Sequence, residues 1–313
     1  MSESHESPAP AGAVVDPEEF RCGFVALAGR ANVGKSTLLN RIVGTKVSIV
    51  SEVPQTTRFP IRGILHRPGL QVVFIDTPGI HKPRYRMNEE MVRLSTRVLR
   101  EVDLVAVLVD ASEGLGPGDR FAFELLKQAR SRCLLVLNKI DLIRKEDLLP
   151  QMEEAGRAGL FEEIVPVSAQ TGENCDRLES VIAARMPPGP PHFPEDMLTD
   201  LPQRQAIGEL IREQVFIQTR QEVPHASAVL VELVEKEESG LVKIHATVVT
   251  DRDSQKGILI GEGGRMMKAI GTQARHGLEK YLDARVHLSL WVKVKKNWRD
   301  DTSLLRLIGL PVA

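Results

Sequence analysis

Eight consecutive residues, Gly29-Arg30-Ala31-Asn32-Val33-Gly34-Lys35-Ser36, carry the spacing G-x4-G-K-S, and their types suit the cradling of a nucleoside polyphosphate. The two glycines let backbone N–H groups turn inward around phosphates, Lys35 reaches the outer phosphates as a point charge, and the Ser36 hydroxyl is placed to ligate Mg2+. Chance produces this pattern in roughly one chain in a hundred of this length. Its setting lowers that figure: Phe24-Val25-Ala26-Leu27-Ala28 before it reads as a buried strand, and Thr37 to Val43 after it as a helix.

The later loops choose the nucleotide. Asn138-Lys139-Ile140-Asp141 follows the apolar run Cys133 to Leu137, which puts it at the carboxyl end of a strand, where open α/β sheets bind ligands. The Asp141 carboxylate can accept the ring N–H and the exocyclic amine of guanine together, a donor pair adenine lacks, so GTP is expected rather than ATP. Asn138 and Lys139 would brace this loop and cover the base. Ser168-Ala169, after the strand Ile164 to Val167, would offer backbone N–H groups to the guanine carbonyl. A nucleotide kinase or an ATPase could share the phosphate loop but would need an adenine-selecting corner.

Asp76-Thr77-Pro78-Gly79 closes the strand Leu70 to Ile75, where Asp76 can hold Mg2+ through water and the Gly79 N–H can sense the third phosphate. Between the two phosphate motifs lies Gln55-Thr56-Thr57-Arg58. Thr57 is the expected Mg2+ ligand and Thr56 the alternative. Both segments, 48–60 and 78–87, are polar and loop-like, as suits elements that order with nucleotide. Lys35, Thr57 and Gly79 are thus the candidate catalytic groups, joined by Asn32. Many GTPases place a glutamine after the last glycine to orient the attacking water, but this chain has Ile80, so slow intrinsic hydrolysis is expected.

These loops need a scaffold, and the hydrophobic pattern supplies one. Strands near 23–28, 61–66, 71–76, 103–109, 133–137 and 164–167 alternate with helical segments, the signature of a mostly parallel, helix-covered sheet. After a helix at Arg177 to Met186, the run Met186-Pro187-Pro188-Gly189-Pro190-Pro191-His192-Phe193-Pro194 can continue neither helix nor central strand and reads as a stiff linker. The expected organisation is a tail at 1–19 rich in Ser, Pro, Ala and Glu and without order, a nucleotide domain at 20–186, a linker at 187–199 and a second domain at 200–313. With 313 residues, 42% hydrophobic content and a net charge of -1, the chain has the composition of an ordinary soluble protein of two packed domains. Its three cysteines form no C-x-x-C pattern, which points to a reducing cytoplasm and to neither disulfides nor zinc. Neither a targeting peptide nor an apolar run of about 18 residues is evident.

The second domain reads helix (203–219), strand (226–235), strand (241–250), short helix, glycine loop, longer helix (264–282), strand (286–295). Its loop, Gly261-Glu262-Gly263-Gly264, lies between apolar residues including Ile258 and Ile260 and the helix that begins near Arg265. This is the setting of a KH loop, in which G-x-x-G lets a single-stranded nucleic acid backbone approach while apolar neighbours meet the bases. Residues 241–313 hold thirteen Lys and Arg against seven Asp and Glu, and the preceding 240 residues sum to -7. Lys256, Arg265, Lys268, Lys293, Lys295 and Lys296 are therefore candidate phosphate partners. Docking of a protein partner by this domain is the alternative.

Taken together, these motifs closely resemble the Era family of bacterial GTPases. Gly29 to Ser36 with Thr37-Leu38-Leu39-Asn40, Gln55 to Arg58, Asp76 to Gly79, Asn138 to Asp141 and Ser168-Ala169 carry the resemblance in the first domain. Ile211-Arg212-Glu213, Gly261 to Gly264, Val286-His287-Leu288 and Leu290 to Lys295 carry it in the second. The resemblance covers about residues 21 to 310. It implies a P-loop GTPase domain, with a mixed, mostly parallel sheet and helices on both faces, followed by an α+β KH domain of type II. It also implies a GTP/GDP cycle with Mg2+, recognition of 16S rRNA near its 3′ end and a role in 30S subunit assembly. A monomer in the cytoplasm, loosely associated with the inner membrane face and without a DNA partner, completes that picture. In GTPases similar to this one, an Asn at the position of Asn32 helps hold K+, which can neutralise transition-state charge; simple capping of the loop is the alternative. Two residues depart from the family pattern. Ala31 replaces a usual proline, and Glu262-Gly263 stands where relatives show a lysine, which sets a carboxylate against phosphate with Arg265 as the expected compensation.

Overall fold

The computed structural model describes residues 20–50, 56–79, 85–129, 131–219 and 223–312. The expected tail at 1–19, Gln55 and Ile80 lie outside them. Six strands form the first sheet: β1 (Arg21–Ala28), β2 (Ile61–Arg67), β3 (Leu70–Asp76), β4 (Leu104–Asp110), β5 (Cys133–Asn138) and β6 (Glu163–Pro166), in the order β2-β3-β1-β4-β5-β6. Only β2 runs antiparallel, joined to β3 by a tight turn. Interleaved with the strands are α1 (Lys35–Val43), α2 (Arg86–Glu101), α3 (Pro117–Ala129), α4 (Leu148–Gly156) and α5 (Cys175–Ala183). The last starts and ends earlier than the helix expected at 177–186. Arg185 and Met186 still close turns onto Ile182 and Ala183, and Met186 is buried in the core.

Parallel strands covered on both faces must be apolar on both, and β4 and β5 are buried throughout. The alternation of β1 splits the core in two. Val25 and Leu27 join Leu38, Leu39 and Ile42 of α1 with Leu178 and Ile182 of α5, while Ala26 and Ala28 join Leu99, Phe123, Leu126 and Ala155 of α2, α3 and α4. The loops that leave the carboxyl ends of β1, β3, β5 and β6 therefore converge on one rim of the sheet.

The proline-rich segment is laid along the sheet. The Cys22 N–H donates to Pro187 O, Gly189 N–H to Phe20 O and Ile64 N–H to Leu198 O. Gln71 Nε2 reaches Phe193 O at 2.8 Å, and Gln71 Oε1 accepts from the His192 N–H at 2.7 Å.

Beyond it follow α6 (Gln203–Gln218), β7 (Ser227–Lys236), β8 (Val242–Thr250), α7 (Asp253–Ile260), α8 (Arg265–Leu282), β9 (Val286–Val294) and α9 (Thr302–Leu307). The sheet β7-β8-β9 pairs antiparallel, then parallel. Ile207, Ile211 and Val215 of α6 pack with Ile270, Ala274 and Leu278 of α8 against it. The C-terminal segment closes the seam between the domains: Trp298, Leu304, Leu305, Leu310 and Val312 bury themselves with Phe59, Ile61, Met87 and Met91 of the first domain. No helix among the described residues is long and apolar enough to cross a membrane.

Candidate functional site

The phosphate loop wraps the N-terminus of α1 around a cavity of about 420 Å3, lined by Ala31, Asn32, Gly34 to Thr37, Ile49, Val50, Thr56, Thr57, Gly79, Glu113 and Lys139. Gly34 sits at φ 96°, and a Cβ there would lie 2.2 Å from Asn138 Nδ2, so only glycine lets the two loops meet. Lys35 is buried and its ammonium rests on Arg30 O (2.8 Å) and Gly29 O (3.2 Å). Burial holds it below the ordinary lysine range, against the pull of the Asp76 carboxylate. Gly79 lies against Ala31, whose backbone N would be 3.1 Å from an added Cβ.

The three expected metal ligands converge. Asp76 Oδ2 accepts hydrogen bonds from Ser36 Oγ (2.6 Å) and Thr57 Oγ1 (3.1 Å), and those two hydroxyls are 3.2 Å apart. A third hydroxyl, Ser48 Oγ, joins Oδ2 at 2.9 Å. Asp76 is fully buried, yet Oδ1 has no hydrogen-bond partner. Burial raises its pKa despite Lys35 and the three hydroxyls. A buried carboxylate with one open oxygen, ringed by hydroxyls, is an all-oxygen donor set suited to a hard divalent cation, so the residues fit Mg2+. Of the two candidate threonines, Thr57 turns its hydroxyl to this cluster, while Thr56 presents its carbonyl to Arg212 of the second domain.

Asn138 joins three loops. Its Nδ2 donates to Val33 O (2.7 Å), and its Oδ1 accepts from the Ala169 N–H (2.9 Å). Lys139, held at φ 66°, pairs with Asp110 Oδ2 at 2.6 Å. Burial works to raise the Asp110 pKa, but Lys139 and Ser112 together hold it below the usual carboxylate value. Asp141 is exposed at the same corner. Several expectations change here. The Ser168 N–H donates to Glu173 O, so with Ala169 engaged by Asn138 both donors expected to face the base are committed within the protein. Arg30 sends its guanidinium to Glu113 (2.6 Å) and Asp119 (3.2 Å), leaving only its backbone to the cradle. Thr77 likewise serves structure, bonding Leu27 O at 2.8 Å, and Pro78 O accepts from Ser95.

Sequence spacing marked neither Ser48 nor Asp110. Ser48 is placed by Asn40 of α1, whose amide binds the backbone of Val47 and Ser48. A polar residue one turn into a phosphate-binding helix was the available signal.

In the second domain, Gly261 adopts φ 69° and would clash with Met266 Cβ at 2.7 Å if it carried a side chain, so the backbone can turn sharply into α8. A groove opens beside the loop, lined by Ile260, Gly264, Lys268, Arg275, Leu290 and Trp291 among others. Lys256 and Ile258 lie outside its lining, on α7. Trp291, 49% exposed and edge-on to His245 at 5.4 Å, was missed as a contact residue. Glu262 and Arg265 form an exposed ion pair, so the arginine is occupied by the loop's own carboxylate.

Residues 24–139 match a family model described as a 50S ribosome-binding GTPase, and residues 222–299 match one described as a KH domain. A GTPase Era from Heliobacterium modesticaldum (strain ATCC 51547 / Ice1) is 45% identical over 292 residues, 93% of this chain and 98% of that protein. A crystal structure of Era in complex with MgGDPNP and nucleotides 1506–1542 of 16S ribosomal RNA superposes with a TM-score of 0.91 at 38% identity, covering 94% of this chain and 100% of that one. A point variant of Aquifex aeolicus Era bound to GDP.AlF4- gives 0.90 at the same identity and coverage.

Proposed function

The chain belongs to the Era family of GTPases, and from that membership we propose a GTP-driven switch that binds the 3′ region of 16S ribosomal RNA through its KH domain and assists 30S subunit assembly. The observation that carries this proposal is the superposition of both domains, over 94% of the chain, on a relative solved with that RNA segment. One family description names the 50S particle, but it covers the first domain alone and carries no information on the RNA groove.

Mg2+ held by Ser36, Thr57 and Asp76 supplies charge neutralisation for the phosphates. The chain does the rest. Lys35 exchanges the carbonyls of Gly29 and Arg30 for phosphate oxygens, the Gly79 N–H meets the third phosphate, and Asp141 reads the guanine edge. Thr57 and Gly79 belong to loops that leave this arrangement when the third phosphate is lost. The exposed Asn32 at the cavity rim is a K+ ligand in this scheme, which hydrolysis rates in K+ against Na+ test. The groove beside Gly261 to Gly264 takes single-stranded RNA, with Trp291 as a stacking platform and Lys268 against phosphate. The protein works as a cytoplasmic monomer that touches the inner membrane face loosely.

Binding of a fluorescent RNA spanning 16S nucleotides 1506–1542 tests the proposal, with a GTP analogue, with GDP and across a salt series. Tight, sequence-selective and salt-sensitive binding that favours the GTP analogue is expected. Absence of binding in every nucleotide state would reassign the second domain to a protein partner.

A further inference from the structure

The residues on either side of Thr57 are both tied to the second domain. On one side, Arg212 Nη2 of α6 donates to the Thr56 carbonyl; Arg212 is 2% exposed, with Nε fixed by Glu209 Oε1 at 2.8 Å and its guanidinium over the Phe216 ring. On the other side, Arg58 is 3% exposed, donates Nη2 to Ser227 O at 2.8 Å and lies over the Trp298 ring. The opposite end of the same loop is held by the next residue of α6: Glu213 accepts from Lys46 Nζ at 2.5 Å and from the Val50 N–H at 3.2 Å. Nothing in the first domain alone matches this grip on the threonine's backbone among the bonds described.

We propose that Arg212 is a positioning residue for the metal site, holding Thr57 from the second domain so that its hydroxyl stays beside Ser36 and Asp76. Arg212 does not line the nucleotide cavity. It acts through the Thr56 carbonyl, one peptide from a ligand whose hydroxyl stands 3.1 Å from the carboxylate it must share a cation with. Outer-shell groups of this kind are worth roughly tenfold or more in metal affinity. The inference rests on the assignment of Thr57 to Mg2+.

The test uses the full chain and reads equilibrium binding of a fluorescent, non-hydrolysable GTP analogue as Mg2+ is titrated, beside GDP binding in EDTA. Arg212→Met is expected to raise the Mg2+ midpoint roughly tenfold and to leave metal-free GDP binding unchanged, because the cradle from Gly29 to Lys35 is untouched. Arg212→Lys keeps one donor but loses the planar fork and should recover part of the shift. Arg212→Met also strands the Glu209 carboxylate, so the paired variant Glu209→Gln/Arg212→Met is titrated with it, each checked for folding by thermal melting. An unchanged Mg2+ midpoint in the folded paired variant, beside a raised one in Thr57→Ala, overturns this inference alone. An unchanged midpoint in Thr57→Ala overturns the ligand assignment beneath it.

Discussion

The nucleotide cradle keeps its chemistry in side chains that are buried and bonded to one another, whereas the groove of the second domain keeps its own on the surface. Lys35, Asp76, Thr57 and Asn138 are all nearly inaccessible; Lys35 is bonded within its own loop, and each of the other three holds at least one other loop in place. Trp291, Lys268 and Arg265 face solvent, and the one strong contact among the loop's charges joins Arg265 to its own neighbour Glu262. A site that must sense one phosphate needs preorganisation, because a displaced hydroxyl or amide loses the transition state. A site that receives a flexible strand can be sparse, because stacking and phosphate contacts tolerate adjustment.

The contrast breaks most sharply at Asn138. Replacing it with alanine removes two buried hydrogen bonds and leaves Val33 O and the Ala169 N–H unsatisfied, so a loss of about 3 kcal/mol in stability is expected, together with loss of nucleotide binding. Urea unfolding with and without GDP measures both. Trp291→Ala should do the opposite. RNA affinity is expected to fall by about 2 kcal/mol, close to thirtyfold, with the melting temperature and GTP analogue binding unchanged; early melting would show the groove to be as interlocked as the cradle and erase the distinction. The smallest expected effect is Glu262→Gln, which releases Arg265. RNA binding should tighten by roughly threefold, and the slope of log affinity against log salt should steepen by about 0.7 for one further phosphate contact on a single strand.

The two regions also differed in how far the sequence disclosed them. The loops after β1, β3 and β5 were legible because phosphate, Mg2+ and guanine each demand particular residue types at fixed spacing, and six strands alternating with helices required a sheet to carry them. The KH loop was legible by its place in the element order, since Gly261 and Gly264 alone are weak signals. Ser48 was signalled only indirectly, by Asn40 in the helix before it, and Asp110 stayed hidden, being recruited by Lys139 across a distance that leaves no local pattern. Trp291 was visible as part of a motif but not as a groove wall, because its exposure depends on how β9 lies beside β8. The seam was least legible. Arg58 and Arg212 were visible as members of motifs but not as ties between domains, and Trp298 was not marked at all, until the second domain is docked on the first.

The proline-rich segment has a mechanical consequence for that docking. Thirteen residues from 187 to 199, if they hung free, could reach about 45 Å and would let the second domain wander like a weight on a leash. Bonded along β1, β2 and β3 through Pro187, Gly189, His192, Phe193, Leu198 and Thr199, the segment gives up that slack before α6 begins. The second domain is therefore hung from a fixed jamb instead of a loose tether.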